Sequence, residues 1–176
     1  MHVNFGLSIP TGSLIEKGLP PKSNPNEIRL GYNMWLGSGT WDSSLGVTYL
    51  KEYENMSYGA QTKYLYRIGE NSEGYTLWDK WNNIFWYTNK LSNSFSASLR
   101  ADYNSIGSID DAYKTISIPM LAPVFDASNL EKKQLDVLLG VNYVFFKGVL
   151  KGMRLEVEAG LPVYENVKGI QMKTHF

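Results

Sequence analysis

Phe95-Ser96-Ala97-Ser98-Leu99-Arg100-Ala101-Asp102-Tyr103 reads as one β-strand with two unlike faces. Side chains alternate along an extended chain, so Phe95, Ala97, Leu99, Ala101 and Tyr103 share one side, and Ser96, Ser98, Arg100 and Asp102 the other. A helix would mix the two sets. The same rhythm continues downstream. Leu135, Val137, Leu139, Val141, Tyr143 and Phe145 alternate with Gln134, Asp136, Gly140 and Asn142, and Leu155, Val157, Ala159 and Leu161 with Arg154, Glu156, Glu158 and Gly160.

Upstream, Tyr58, Ala60, Thr62, Tyr64, Tyr66 and Ile68 alternate with Ser57, Gly59, Gln61, Lys63 and Arg67. Leu45, Val47 and Tyr49 alternate with Ser44, Gly46 and Thr48. Val3, Phe5, Leu7 and Ile9 alternate with His2, Asn4, Gly6 and Ser8, until Pro10-Thr11-Gly12 stops the strand. Lys80–Lys90 is aromatic on both parities (Trp81, Phe85 and Tyr87; Trp86 beside Ile84), which leaves its orientation open. A last strand is expected to begin near Ile170. The expectation is an all-β, antiparallel up-and-down barrel, or an open part of one, with about eight strands in a single domain over residues 1–176.

The connections alternate in length. Lys51–Met56, Thr88–Ser92 and Phe146–Gly152 are short; Pro10–Thr40, Gly69–Asp79 and Asn104–Lys133 are long. Successive connections of an up-and-down sheet fall at opposite ends, and membrane barrels have short turns at one end and long loops at the other. Ile28–Leu36 also alternates. As a spanning strand it would mix the two kinds of connection, so it is assigned to the long first loop as a β-extension.

Composition narrows the function. Hydrophobic residues make up 43% of the chain, and no window approaches the roughly 18 consecutive apolar residues of a membrane helix. A membrane β-barrel needs only alternate apolar residues. Lys+Arg and Asp+Glu are both 17, a balance that offers no basic surface to nucleic acid. With no cysteine, disulfides, zinc thiolates and thiol catalysis are excluded.

The alternation also suits a soluble, lipocalin-like barrel with its apolar face inward. Three features favour lipid. The polar parity is rich in Ser, Gly, Thr and Asn with isolated charges, and lacks a dense Lys/Glu coating. Tyr49, Tyr66, Tyr103 and Tyr143 sit at strand ends, where interfacial girdles lie. The strands are longer than the ~5–6 residues usual in globular sheets. Leu7, Val47, Leu99, Leu139 and Val157 are therefore expected to face membrane lipid. Lys63, Arg67, Arg100, Asp102, Asp136, Asn142, Arg154, Glu156 and Glu158 are expected to line a lumen.

Little here points to catalysis. His2 and His175 lie near opposite ends of the chain with no carboxylates fixed beside them, so they read as solvated residues and not as a metal pair. Asp110-Asp111, near Ser108 and Asp126, reads as a solvated loop; calcium would need several convergent oxygens. Glu156 and Glu158 share a face, but acid–base work needs a cleft and a partner at fixed separation. Arg29, Lys63, Arg67, Arg100 and Arg154 are available to balance them. Gly37-Ser38-Gly39-Thr40 lacks the Lys and the helix of a phosphate loop and reads as a turn. No Ser-His-Asp set is evident. The expectation is a protein that is not an enzyme and holds no cofactor or metal.

Four segments together resemble a known family: Asn4-Phe5-Gly6-Leu7-Ser8-Ile9-Pro10-Thr11-Gly12-Ser13, Leu36-Gly37-Ser38-Gly39-Thr40-Trp41-Asp42, Arg67-Ile68-Gly69-Glu70-Asn71, and Leu150-Lys151-Gly152 through Glu158-Ala159-Gly160-Leu161-Pro162-Val163-Tyr164. The chain is similar along almost its whole length to the outer-membrane transporters grouped as the family of the MetA pathway of phenol degradation. The resemblance implies a bacterial outer-membrane channel for small molecules, aromatic or apolar ones among them. It implies no catalytic residue. Family members look longer, with a signal peptide, further N-terminal strands and an aromatic C-terminal residue, which Phe176 matches. The expectation is that residues 1–176 form the C-terminal part of a barrel of about a dozen strands. A structural or adhesive barrel is the remaining alternative.

Overall fold

The computed structural model describes residues 1–19, 27–109, 111 and 126–169. Its strands are β1 (His2–Ser8), β2 (Lys17–Gly18), β3 (Ile28–Arg29), β4 (Trp41–Glu52), β5 (Met56–Ile68), β6 (Lys80–Lys90), β7 (Phe95–Ile106), β8 (Lys132–Val144) and β9 (Arg154–Val167). Seven of them form one antiparallel up-and-down sheet in the order β1-β4-β5-β6-β7-β8-β9. The fold is all-β, and each strand from β4 onward pairs with the next in sequence. In the described sheet β1 and β9 are the two edges. The strand expected from Ile170 lies outside the described residues.

The expected rhythm of connections is present. Turns at 53–55, 91–94 and 145–153 close one end, and the long segments 9–40, 69–79 and 107–131 all emerge at the other. The turns are held locally. Tyr53 donates its backbone N–H to the Met56 carbonyl at 2.8 Å, and the Ser92 hydroxyl oxygen accepts the Phe95 N–H at 3.0 Å. Ile28–Leu36 is not a spanning strand. Ile28–Arg29 pairs with Lys17–Gly18 in a small hairpin, and Tyr32–Met34 is a 3-10 turn.

Register gives the strands their tilt. Ser57 at the first turn pairs with Thr88, two residues short of the end of β6 at Lys90. Ser96, opposite Lys90, pairs with Asn142, again two short of the end of β8 at Val144. Each hairpin is thus displaced by two residues from the one before, the stagger that inclined strands of a curling sheet require.

Register also orients β6. Trp81, Phe85 and Tyr87 lie opposite Tyr64, Ala60 and Tyr58, on the apolar face; Ile84 and Trp86 lie opposite Gln61 and Gly59, on the polar one. Trp86 can occupy that face because Gly59 has no side chain: a Cβ there would collide with the indole ring. Near the loop end of β9, Asp136 pairs with Pro162 but Leu135 with Tyr164, so one extra residue, Val163, is accommodated in a bulge. The bulge reverses the parity of β9 beyond it, placing Tyr164 with the apolar residues and Glu165 with the polar ones.

Within the described residues the apolar face carries no second layer. Phe5 is 75% exposed, Leu139 67% and Val157 57%, and Leu45, Phe85 and Leu99 are also exposed. The buried hydrophobic cluster lies elsewhere, among the long connections: Leu14, Tyr32, Trp35, Tyr75, Leu77, Ile109 and Ala127. The rings of Tyr32, Trp35 and Tyr75 meet with centroids 5.1–5.8 Å apart. Arg29 joins the pieces of this loop cap. Its guanidinium lies 4.8 Å from the centroid of the Trp35 ring, donates to the Leu14 carbonyl at 2.6 Å and pairs with Glu73 at 2.9 Å.

Candidate functional site

All nine residues expected along a lumen fall on the same face of the sheet by register. Asn142 lies opposite Glu156, Gly140 opposite Glu158 and Val144 opposite Arg154; Asp102 faces Asp136, and Arg67 faces Asp42. Lys63 is opposite Asn82 on that same parity. Leu7, Val47, Leu99, Leu139 and Val157 fall on the other face; all but Val47, which is half-buried, are exposed.

The polar face is cross-linked by its own side chains. Arg100 on β7 pairs with Glu158 on β9, reaching past β8. Strands two apart are separated by roughly 10 Å, a gap that these two long side chains close between them. Gly140, between Ser98 and Glu158 in register, leaves the passage open. Asn142 donates to Glu156 at 3.3 Å. The cross-strand carboxylates Asp102 and Asp136 are each held by amides: Asn82 and Asn104 donate to Asp102 at 2.8 Å, and Gln134 to Asp136 at 2.6 Å. Toward the loop end, Lys132 and Glu165 pair at 3.1 Å.

At that end the face meets the cap in a buried polar network. Asp42 accepts from the Ser38 hydroxyl at 2.9 Å, from the Thr40 hydroxyl at 2.7 Å and from the Arg67 guanidinium. Asp42 is only 5% exposed. The Arg67 backbone N–H donates to Asp79 at 2.9 Å, and the Tyr64 hydroxyl donates to the other Asp79 oxygen at 2.7 Å. Asn71 donates to the Ser38 carbonyl at 3.2 Å. The Gly37–Thr40 turn, read from sequence as no more than a turn, thus delivers two hydroxyls to a buried acid.

A cavity of about 570 Å³ opens beside this network, on the same side of the sheet. Ser8–Gly12, Trp35–Ser38, Asp42, Arg67, Leu77, Trp78 and Lys80 line it. Gly12 and Gly37 touch backbone to backbone at its rim; a Cβ on Gly12 would lie 2.7 Å from the Gly37 Cα, so neither position tolerates a side chain unchanged. Three stretches far apart in the chain, around Pro10–Gly12, Ser38–Asp42 and Arg67, converge here.

Asp42, Lys80 and Trp78 were not singled out by sequence. Asp42 sits on the polar parity of β4 opposite Arg67, which is a legible signal once the register is known. Arg29, a candidate counter-charge for the carboxylates of β9, instead pairs with Glu73 in the cap. His175 and Asp110 lie outside the described residues. Among the described residues no group of three or more His, Cys, Asp or Glu is placed to hold a metal ion.

Tyr75 is the innermost side chain of the cap, and burial pushes its hydroxyl up to about 12, against smaller opposing pulls from Asn71 and Arg29. An unfolded tyrosine loses its proton near 10. The contribution of Tyr75 is therefore constant below about pH 10 and is lost as pH rises toward and through 12. Near-ultraviolet circular dichroism of the cap aromatics should follow that loss, and Tyr75→Phe should flatten it. An unchanged alkaline profile in Tyr75→Phe would show that another group controls the cap.

Comparison of the chain with protein-family models, with curated proteins and with solved structures finds no match in any of the three.

Proposed function

We propose that this chain forms wall and loop cap of a bacterial outer-membrane β-barrel that passes small solutes. The observation that carries the reading is the uncovered apolar face. Strands β4–β9 run 11–14 residues, enough to cross a bilayer at a tilt. They present large hydrophobic side chains outward, while the buried core sits in loops at one end. A contiguous apolar surface of this extent is costly in water and favourable in lipid.

Two aromatic bands support it. Tyr49, Tyr58, Tyr87, Phe95 and Tyr143 lie near the turn end of the apolar parity, and Trp41, Tyr66, Trp81, Tyr103 and Tyr164 near the loop end. Between them are mainly aliphatic and small residues. Of the polar exceptions, Thr62 and Asn83 bond to each other at 2.8 Å, and the Trp81 indole N–H donates to Thr62. Such mutual satisfaction lowers the penalty of polar groups facing hydrocarbon.

The opposite face supplies the conducting surface in this reading. Charges of both signs, paired across strands, suit a hydrated passage for polar or weakly polar solutes better than a greasy tunnel. The resemblance to phenol-pathway transporters points to transport and adds aromatic compounds to the candidate solutes. No step in this function needs a catalyst or cofactor.

Reversing Arg100 and Arg154 to Glu should shift ion selectivity toward cations in planar bilayers, since both side chains would line the path. An unchanged permeability ratio would remove them from it. Arg154→Gln alone should move selectivity in the same direction by less.

A further inference from the structure

We infer that the hairpin turn 145–153 is a membrane-docking element, lying among the headgroups of the leaflet at the turn end and selecting anionic phospholipid. The inference rests on the lipid-facing reading of the sheet's apolar side, which this turn continues.

The turn differs from the other two at its end of the sheet. Those at 53–55 and 91–94 are short and mostly polar, Tyr53-Glu54-Asn55 and Leu91-Ser92-Asn93-Ser94. The third is Phe145-Phe146-Lys147-Gly148-Val149-Leu150-Lys151-Gly152-Met153. Phe146, Val149, Leu150 and Met153 are all exposed, Val149 completely. Its backbone is nevertheless well fixed. The Phe145 N–H donates to the Met153 carbonyl at 3.0 Å, and the Gly152 N–H to the Phe145 carbonyl at 2.8 Å. Within the tip, Lys151 donates to Gly148 at 3.2 Å and Met153 to Leu150 at 2.9 Å. Gly148 and Gly152, at φ of 77° and 85°, supply the left-handed corners. The turn is thus pinned with large apolar side chains outward, and no described residue covers them. An exposed apolar patch of this kind marks a surface that meets a partner or a membrane.

Two observations choose lipid. The first is continuity. The Phe145 ring meets Tyr143 edge-on, with centroids 4.9 Å apart, and Tyr143 lies opposite Leu155 on the apolar parity. Met153 has the parity of Leu155. The apolar side therefore runs through the turn-end aromatic band and onto the tip without a break. The second is charge. Lys147 and Lys151 are the ionisable residues of the turn, and no acid accompanies them. Glu52 and Glu54, the acids of the first turn, line a pocket on the polar side with Arg154, and no residue of 145–153 lines it. Apolar side chains interleaved with lysines suit the headgroup layer, where the stems stay in the acyl boundary and the ammoniums reach phosphate. The tip stands just past the aromatic band, at the depth of that layer.

The test uses the full chain, which has no cysteine, so Val149→Cys gives a unique site for an environment-sensitive fluorophore. The labelled chain is folded into vesicles of phosphatidylcholine and phosphatidylglycerol. One lipid or the other carries a nitroxide near the headgroup end of its acyl chain. Both should quench the label, and phosphatidylglycerol should show about fivefold the apparent affinity, the gain expected of one lysine at an anionic surface. Lys147→Gln with Lys151→Gln should abolish that preference and leave quenching by phosphatidylcholine. A label at Asn93→Cys, on the polar turn, should stay open to aqueous iodide. A Val149 label equally open to iodide would overturn the inference, as would a lipid preference that survives both Lys→Gln changes. Shielding from iodide without quenching by either lipid would overturn it too, and would indicate a second copy of the chain on the tip. Leu139→Cys separates the two readings. Lipid quenching at Leu139 but not at Val149 would remove the docking turn alone; the reverse would keep the docking turn and remove the spanning sheet.

Discussion

Leu139→Arg should destabilise the protein in a bilayer by about 2–4 kcal/mol, the cost of a cation near the membrane midplane. Leu139 sits mid-strand in β8, between Leu99 and Ala159 on the apolar parity, and is 67% exposed. That exposure makes the substitution decisive. In a water-soluble protein, a large hydrophobic residue already at the surface can become Arg with a change within about 0.5 kcal/mol. In hydrocarbon the guanidinium has neither water nor a carboxylate, since the acidic groups of β8 and β9 point the other way. Urea titration of the chain folded into phospholipid vesicles, followed by tryptophan fluorescence, measures the difference. Leu139→Arg with native stability would remove lipid from this face.

Asp42→Ala should cost about 3–5 kcal/mol, a loss typical of removing one partner of a buried ion pair. The effect has three sources. The Arg67 guanidinium, with its side chain only 10% exposed, loses its carboxylate, and the Ser38 and Thr40 hydroxyls lose their acceptor. The Gly37–Thr40 turn is then no longer pinned to β4, so the cap and the sheet should separate before the strands unpair. Urea unfolding should show an early loss of near-ultraviolet signal in Asp42→Ala, ahead of the far-ultraviolet transition. Replacing both partners, Asp42→Leu with Arg67→Met, should recover much of the loss, because no unpaired charge remains buried. A single substitution with native stability would show that the network is ornamental.

These two residues mark the limit of sequence reading here. Leu139 was legible from its parity, because a period of two assigns every residue of a clean strand to a face. Asp42 was not, although it follows the same parity: its importance comes from Ser38, Thr40 and Arg67, and only strand pairing and the fold of the turn bring those together. The pocket shows the same contrast. Its rim draws on Pro10–Gly12, Gly37–Ser38, Arg67 and Lys80, four separate stretches whose proximity no local pattern encodes.

Alternation by itself determined the all-β class, the strand limits to within a few residues, the two faces of β1, β4, β5, β7 and β8, and the placing of long connections at one end. Each of these follows from the geometry of a single extended chain. The orientation of β6 needed the partner strand, since Trp81 and Trp86 have equal claims to an apolar face until Gly59 makes room for one of them. The parity switch at Val163 needed it too, because a bulge is defined by two residues facing one across a ladder. The loop cap was beyond the sequence: Tyr32 shares the alternation of Ile28–Leu36 yet lies in a 3-10 turn, Trp35 and Tyr75 follow no period, and the burial of all three comes from contact between connections far apart in the chain. Local periodicity records which way a side chain points, whereas burial, pairing of charge and the shape of a cavity depend on what the rest of the chain brings to meet it.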